Sequence, residues 1–420
     1  MAIRLLHFAD AHIDMVNYGR HDPETALPVR VVDFLKSLDA IVERALEEPV
    51  DLVIFAGDAY KDRNPHPTFQ REWGKRMMRL SRAGIPTILL VGNHDVPAAS
   101  GRAHAIAEFS TLEVPYIFVA DRIGCYDARQ LGISAQVITI PWVPRSHLMT
   151  RQETAGKPLA EVLLLIEQKV TGMVQQLLEQ ADPSLPTILT AHASVQGAVY
   201  GSERQVMLGH ELVLSGGLVT DPRLDYVALG HIHKHQNLNP KGHPPVIYPG
   251  SIERIDFSEA RETKGFVLAT VDRGETQWEF VPLQTRPFVD RYLSLDGLEK
   301  GADPMEVILA HLPAPEALEG AIVRLVLEYP PEVEPRIDDA ALYRHARLAL
   351  DFHLVKRRVQ RARARLGDIA AVESLSPVEL LERYWRAAGT DPDEAAILQE
   401  MGAEIIRAVE AGEGNEGNEG

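Results

Sequence analysis

The 420-residue chain carries a single cysteine, Cys125. One thiol can close neither an intramolecular disulfide nor a thiolate metal cluster, a pattern that suits a reducing compartment. Any metal must therefore be held by oxygen and imidazole. Cys125 itself, in IGCYD, has no base close by in sequence and reads as a small buried apolar group. Long apolar runs are missing as well: the longest, such as 85–91 and 162–166, fall far short of the ~20 residues that cross a bilayer. The opening MAIRLLHFADAH reaches polar Asp10 and His12 before a signal-peptide core could form, so a cytoplasmic location is expected. Positive charge is scarce. With 43 basic residues against 60 acidic ones the net charge is −17, which argues against a surface that coats nucleic acid or membrane as a whole. A local basic track is still allowed. Neither a G-x-S-x-G elbow nor a G-x-x-x-x-G-K-[ST] phosphate loop occurs, so serine-nucleophile chemistry and ATP hydrolysis by this polypeptide are not expected.

What is present is an ordinary folding composition, 45% hydrophobic and 25% charged, in a chain long enough for two or three domains. Up to about residue 270 short apolar runs (3–8, 51–56, 87–91, 136–140, 187–190, 226–229) alternate with stretches of helical spacing (31–48, 68–83, 159–180). That rhythm predicts helices covering a largely buried sheet. Runs at 246–249, 265–271 and 277–282 are more hairpin-like and complete a second sheet. The expected fold class is α/β, a two-sheet β-sandwich flanked by helices. From about 285 a small α+β unit is expected, with strands at 291–295 and 321–328 and a helix at 303–311. From 338 onward β signals vanish, and 340–365, 377–388 and 393–410 read as successive helices, with Pro377 and Pro392 where helices begin. GEGNEGNEG closes the chain as an acidic low-complexity tail that cannot bury a core. The domain boundaries read from this are 1–284, 285–340, 341–410 and a disordered tail at 411–420.

The chemistry lies at the ends of the apolar runs. Asp10 and His12 follow the first, Asp58 the second in AGD, Asn93, His94 and Asp95 the third in GNHD, His192 another in TAHAS, and His231 and His233 a further one in LGHIH. A lone Asp or His after a strand is more often a turn or capping residue than a ligand. Five such clusters in one chain are read together as a metal site at the edge where layered α/β folds gather ligands. Carboxylate, imidazole and amide oxygen without thiolate favour Mn²⁺, Fe²⁺ or Zn²⁺. The candidates are too many for one ion, and two ions sharing a carboxylate would form a phosphoesterase centre.

The order D-x-H, GD, GNHD, H, GHxH resembles the calcineurin-like metallophosphoesterase superfamily. LHFADAHI, DLVIFAGDAY, LLVGNHDVP, YVALGHIHKHQ and above all YPGSIERIDFSEARETKGFVL narrow the resemblance to the SbcD family of bacterial nuclease subunits, counterparts of the archaeal and eukaryotic nuclease that processes DNA double-strand breaks. It covers about the first 290 residues well and the rest in layout only. The resemblance implies Asp10, His12, Asp58 and His233 as ligands of one metal and Asp58, Asn93, His192 and His231 as ligands of the other, with Asp58 bridging. It implies His94 as a catalytic non-ligand that contacts the scissile phosphate, and manganese as the metal. Archaeal relatives often place a second catalytic histidine three residues after the bridging aspartate. Here that position is Lys61 in AGDAYKD, which could at most contribute phosphate binding.

The 344–365 stretch holds eight Arg and Lys residues, Arg357, Arg358 and Arg361 among them, against one acidic residue, Asp351. It reads as a solvated helix face, a phosphate-backbone contact or a linker packed on an acidic partner. Beyond it lie two amphipathic helices with little apolar surface to cover but each other. The resemblance implies that such a carboxyl-terminal hairpin docks on the SbcC-type ATPase subunit, that 285–340 caps DNA over the metals, and that the nuclease subunit is a homodimer. The function it implies is a Mn-dependent nuclease of DNA repair, recombination and replication, a 3′–5′ double-strand exonuclease and single-strand or hairpin endonuclease. The alternative is a metal-dependent phosphodiesterase or phosphatase on a nucleotide or other small phosphoester, and a further rival is a non-catalytic scaffold.

Overall fold

Residues in a β-strand alternate between faces, and in β1 (Ile3–Phe8) both faces are apolar: Ile3 and Leu5 point one way, Leu6 and Phe8 the other, all buried. A strand of that kind has to be covered on both sides. In the computed structural model it lies in a six-stranded sheet of order β14-β13-β1-β2-β3-β4, with β2 Leu52–Phe55, β3 Thr87–Leu90, β4 Ile117–Ala120, β13 Gly265–Asp272 and β14 Glu275–Pro282. The described residues are 2–97, 102–142, 148, 149, 153, 155–201, 213–299, 301–359, 375–388 and 390–410. Strands β1 to β4 run parallel, and β13 and β14 pair antiparallel at one side.

A second six-stranded sheet has the order β11-β12-β10-β7-β6-β5. Its members are β5 Gly124–Tyr126, β6 Gln136–Ile140, β7 Thr187–His192, β10 Tyr226–Gly230, β11 Gln236–Asn237 and β12 Val246–Tyr248. Strands β6, β7, β10 and β12 are parallel. A two-stranded ladder, β8 Ser194–Val195 with β9 Val213–Leu214, stands apart. Leu5, Leu52, Ile54 and Ile88 of the first sheet meet Val137, Ile188, Tyr226 and Ile247 of the second in one apolar layer. Helices Val29–Glu47 and Pro67–Arg82 cover the far face of the first sheet through Phe34, Leu38, Trp73 and Met77. Helix Leu159–Gln180 covers the second through Val162, Ile166, Val170 and Val174. The expected sandwich flanked by helices is thus the observed fold.

The chain divides into two compact units, residues 1–291, 313–325 and 340–353 in the first and 292–312, 326–339 and 354–420 in the second. The strands β15 Phe288–Ser294, β16 Ile322–Tyr329 and β17 Asp351–Arg358 form a three-stranded sheet in that order. Here one expectation is corrected. The 340–365 stretch is not a continuous helix: a short helix, Asp339–His345, is followed by strand β17. The residue run DFHLVKRR has apolar side chains at 352, 354 and 355, too few to mark a helix face. Pairing beside β16 decides the conformation, as tertiary context overrides weak local preference. Arg361, the rest of 360–374 and the 411–420 tail lie outside the described residues. Helices Pro377–Ala388 and Pro392–Glu410 form where proline spacing placed them, and Gln399 donates from Nε2 to the Val378 carbonyl at 2.8 Å.

Between the sheets sits an imidazole, that of His7, fully buried. Its Nε2 is 3.2 Å from the Leu229 carbonyl and its Nδ1 3.1 Å from the Tyr226 hydroxyl. A carbonyl only accepts, so Nε2 carries the hydrogen and Nδ1 accepts from the tyrosine. Burial pushes the His7 pKa down to about 3. A group depressed in this way contributes stability that is whole above its unfolded pKa of 6.5 and is lost as pH falls from there toward 3. At pH 5 the loss is about 2 kcal/mol, from roughly 1.4 kcal/mol per pH unit. Urea unfolding of His7→Leu at pH 7 and pH 5 should therefore show a pH-dependent fall in stability about 2 kcal/mol smaller than that of the wild type. An unchanged difference would show that His7 does not titrate with folding.

Candidate metal centre

Because β1, β2 and β3 are parallel, as are β6, β7 and β10, their carboxyl ends emerge on common edges. Each end delivers chemistry. Asp10 and His12 follow β1, Asp58 follows β2, and Asn93 and His94 follow β3. His192 ends β7, and His231 and His233 follow β10. The turns are laced together: Ala11 and His12 donate backbone N–H bonds to the Asp58 carbonyl at 2.9 and 3.2 Å, and Asp10 donates to that of Gly57 at 3.0 Å. The His231 N–H crosses from the second sheet to the Asp10 carboxylate at 3.0 and 3.1 Å.

These turns are strained. Asp10, His12, Asp58 and His231 have φ of +51°, +39°, +64° and +101°, a left-handed region that costs non-glycine residues on the order of 1–3 kcal/mol each and clusters at functional sites. Two glycines make the close approach possible. A Cβ on Gly57 (φ +102°) would sit 2.3 Å from His192 Nδ1, and one on Gly92 would sit 2.2 Å from Asp58 Oδ1.

The structure brings Asp10, His12 and His233 together as one buried ligand group and Asp10, Asp58 and His192 as another. Asp10 is common to both. Asp58 also faces both sides, its Oδ2 lying 3.4 Å from His192 Nε2 and 3.8 Å from His12 Nε2. Asn93 Oδ1 lies 2.9 Å from His192 Nε2 and 3.0 Å from His231 Nδ1. His94 stands beside them, its backbone N–H donating to Asp58 Oδ1 at 2.8 Å and its Nδ1 2.8 Å from the Lys61 carbonyl.

The donor set fits a cation. His12 Nδ1 faces the Tyr60 carbonyl at 3.1 Å and His233 Nδ1 faces the Glu259 carboxylate at 2.9 Å. Both partners are acceptors, so in the neutral rings both Nδ1 atoms carry the hydrogen and both Nε2 atoms present lone pairs. Those Nε2 atoms are 3.2 Å apart. Two lone pairs aimed at one point are satisfied by a cation or a shared proton, not by each other. His192 repeats the pattern: Nδ1 is 2.7 Å from the Ala56 carbonyl, and Nε2 faces two oxygens, those of Asn93 and Asp58.

The charges agree. Burial raises Asp10 to about 6 and presses His12 well below its ordinary value. For Asp58 burial opposes ionisation, yet His192, His94 and His12 together hold the carboxyl well below the usual range. Burial likewise opposes a charged His192, but Asp58 beside it raises the ring to about 9. The pair is an anion and a cation in a water-poor pocket, where a metal ion can take the proton's place.

Several residues support the candidate ligands from behind. Asp95 accepts backbone N–H bonds from Asp58, Ala59 and Gly92 at 2.9–3.0 Å, tying the β2 and β3 turns together. Asp14 accepts from the Lys61 and Asp62 N–H groups and so holds the loop whose carbonyl holds His94. Trp142, past the end of β6, lies with its ring centroid 5.4 Å from that of His231. It was legible in principle, since β6 is parallel to β7 and its end reaches the same edge. Of the basic candidates, Lys61 lies in the His94 loop with an exposed side chain. Arg357 and Arg358 end β17, where Arg358 is paired with Glu334 at 2.7 Å.

Gly57→Ala should lose about 1–3 kcal/mol in urea unfolding from its left-handed backbone alone, and the folded fraction should retain less Mn²⁺ by elemental analysis because His192 is displaced. Wild-type metal content in this variant would show that the approach of β2 to His192 is not what forms the site.

Residues 3–235, more than half of the chain, match the family described as calcineurin-like phosphoesterase. The DNA double-strand break repair protein Mre11 of Archaeoglobus fulgidus is 25% identical over 341 residues, covering 76% of this chain and 70% of that protein. Among solved structures, a dimetal phosphatase from Danio rerio aligns with a TM-score of 0.34 and 11% identity over 66% of this chain and 98% of its own. The protein TT1561 of Thermus thermophilus aligns with a TM-score of 0.35 and 13% identity over 67% of this chain and 99% of its own. The family match spans every one of the five strand ends that carry candidate ligands; the chain belongs to the calcineurin-like phosphoesterase family.

Proposed function

We propose that the chain is the nuclease subunit of an SbcCD-type DNA repair complex, hydrolysing DNA phosphodiesters as a 3′–5′ double-strand exonuclease and a single-strand or hairpin endonuclease. The observation that carries this reading is the extent of similarity to the Archaeoglobus Mre11: its 341 residues run well past the 3–235 family match. A small phosphoester would need no such extension. The alternative, a phosphodiesterase or phosphatase on a nucleotide or small ester, would use the same centre and is favoured only by the net acidity.

In this reading Asp10, His12, Asp58 and His233 hold one metal and Asp58, Asn93, His192 and His231 the other, with manganese the metal and Fe²⁺ or Zn²⁺ substitutes. Asp10, shared by both buried groups, stands as a second carboxylate within reach of either ion. Bound there, the two ions would lower the pKa of the attacking water and stabilise charge on the in-line transition state. His94 is the catalytic group outside the ligand set. With Nδ1–H committed to the Lys61 carbonyl, its ring exchanges a proton at Nε2, the atom left to serve the leaving oxygen. Lys61 adds a positive charge for the phosphate, and Arg357, Arg358 and Arg361 are further backbone contacts. Residues 285–340 serve as the DNA-capping domain. The helices at 377–388 and 392–410 dock on the SbcC-type ATPase: Ile397, Met401, Ile405 and Val409 recur every four residues on the second helix and are each more than half exposed. A homodimer of nuclease subunits completes the assembly. No helix among the described residues is long and apolar enough to cross a membrane.

The test is Mn²⁺-dependent cleavage of labelled duplex and hairpin DNA, with bis-p-nitrophenyl phosphate as the small substrate and an ATPase partner added in a parallel arm. Asp58→Ala should abolish cleavage and lower bound metal. His94→Ala should retain metal and lose roughly 10²–10⁴-fold in kcat, the usual contribution of a positioned acid–base group. Cleavage of the small ester alone, with DNA untouched even beside the partner, would replace the nuclease reading with the phosphodiesterase one.

A further inference from the structure

The segment joining β12 to β13 contains SIERIDFSEARETK, and its charges are unusually deep. Glu259 and Lys264 each expose only 1% of their surface. Burying a carboxylate and an ammonium is expensive, and such a pair is weak support for stability, since apolar residues of similar volume serve as well or better. Their partners give another reason for the pair. Lys264 Nζ lies 2.9 Å from Glu259 Oε2 and 2.7 Å from Glu262 Oε2. Glu259 uses Oε1 on His233 Nδ1 at 2.9 Å and Oε2 on the Ile255 N–H at 2.9 Å. The His233 carbonyl accepts from Lys264 Nζ at 3.0 Å and from the Ser251 N–H at 3.1 Å. One segment therefore grips His233 at both its ring and its backbone.

We propose that Glu259, held in place by Lys264, is a positioning residue that fixes His233 as the Nδ1–H tautomer, aims its Nε2 at the ion shared with Asp10 and His12, and thereby sets the affinity of that ion rather than of its neighbour. A carboxylate behind a ligating imidazole fixes the ring's orientation and raises its basicity as a ligand. His192 has no carboxylate in that place; its Nδ1 faces the Ala56 carbonyl. Two ions so held would meet rings of unequal donor strength: the Glu259-backed His233 joins the carbonyl-backed His12 on one side, and the carbonyl-backed His192 stands on the other. This inference rests on the two-metal reading and adds to it the residues that make the two sites unequal.

Titration calorimetry of the metal-free full-length chain with MnCl₂, followed by EPR of the loaded protein, tests it without reference to any substrate. The wild type should take two ions with a spin-coupled signal. In Glu259→Ala one dissociation constant should rise about 10–100-fold, the range seen when a ligand's hydrogen-bond partner is removed, while the other holds and the EPR shows an isolated ion at low loading. Because that variant leaves the buried Lys264 with Glu262 as its one remaining carboxylate partner, the deciding one is Glu259→Leu with Lys264→Met, which removes the buried pair and leaves the partly exposed Glu262 to solvent; the same one-sided loss is expected. Glu259→Gln with Lys264→Met restores a neutral acceptor, which still fixes the tautomer but no longer raises the ring's basicity, and should recover only part of the affinity. Wild-type constants in the Leu/Met variant would overturn the proposal, and so would equal loss of both ions, whether by unfolding or by general loosening. A wild-type chain that binds no Mn²⁺ at all would instead remove the two-metal reading, and this one with it.

Discussion

The arrangement on which the rest depends is the meeting of His12 Nε2 and His233 Nε2 at 3.2 Å with the carboxylates of Asp10 and Asp58 beside them. Each ring is locked by an acceptor behind it, so neither can turn to relieve the encounter. Lone pairs and carboxylate charge gathered away from water are costly unless a cation neutralises them. The turns that hold them add left-handed backbone at four of the candidate ligands. A local sequence would not adopt these conformations alone; they persist because two buried sheets and a lattice of turn-to-turn hydrogen bonds over-determine them.

That division of labour explains where the molecule spends its apolar residues. The parallel strands are buried on both faces and bring mainly apolar side chains to the layer between the sheets; His7, which does enter it, is satisfied at both nitrogens. Polar chemistry begins at each strand's end or within three residues past it. Asp95 shows how tight the handover is: a single buried carboxylate accepts from the start of its own turn and from two residues of the neighbouring one. Two sheets made of ordinary hydrophobic repeats thus become a rigid frame for a site that ordinary repeats could not build.

The same division sets what could be read from the sequence. The strands β1, β2, β3, β7 and β10 and their terminal Asp, Asn and His residues were legible because apolar period and ligand type are both local signals, and every one of those residues arrives at the site. The roles of Asp14, Glu259 and Lys264 were not, because the partners that give them those roles, Lys61 and His233, lie 26 to 47 residues away. Strand β17 was missed for a related reason. A segment rich in Lys and Arg has no strong preference, and the sheet it joins is supplied by β16 and β15, both well upstream in the chain. The helix boundaries at Pro377 and Pro392, fixed by a covalent ring rather than by a distant partner, were read correctly.

The two ligand groups also divide between the sheets. Asp10, His12, Asp58 and Asn93 follow strands of the first, while His192, His231 and His233 belong to strands of the second. An ion bound to either group would therefore be a cross-link between the sheets, added to the apolar layer, the His7 bonds, the His231 N–H to Asp10 and the His192 ring against the Ala56 carbonyl. By linkage, an ion that binds only the assembled sandwich stabilises it in proportion to the logarithm of its concentration over Kd. The reverse holds equally: whatever loosens the inter-sheet layer weakens the ion, even when no ligand is touched. Leu5, Ile54, Ile188 and Tyr226, residues with no chemistry of their own at the metals, are in this sense part of the affinity of the centre.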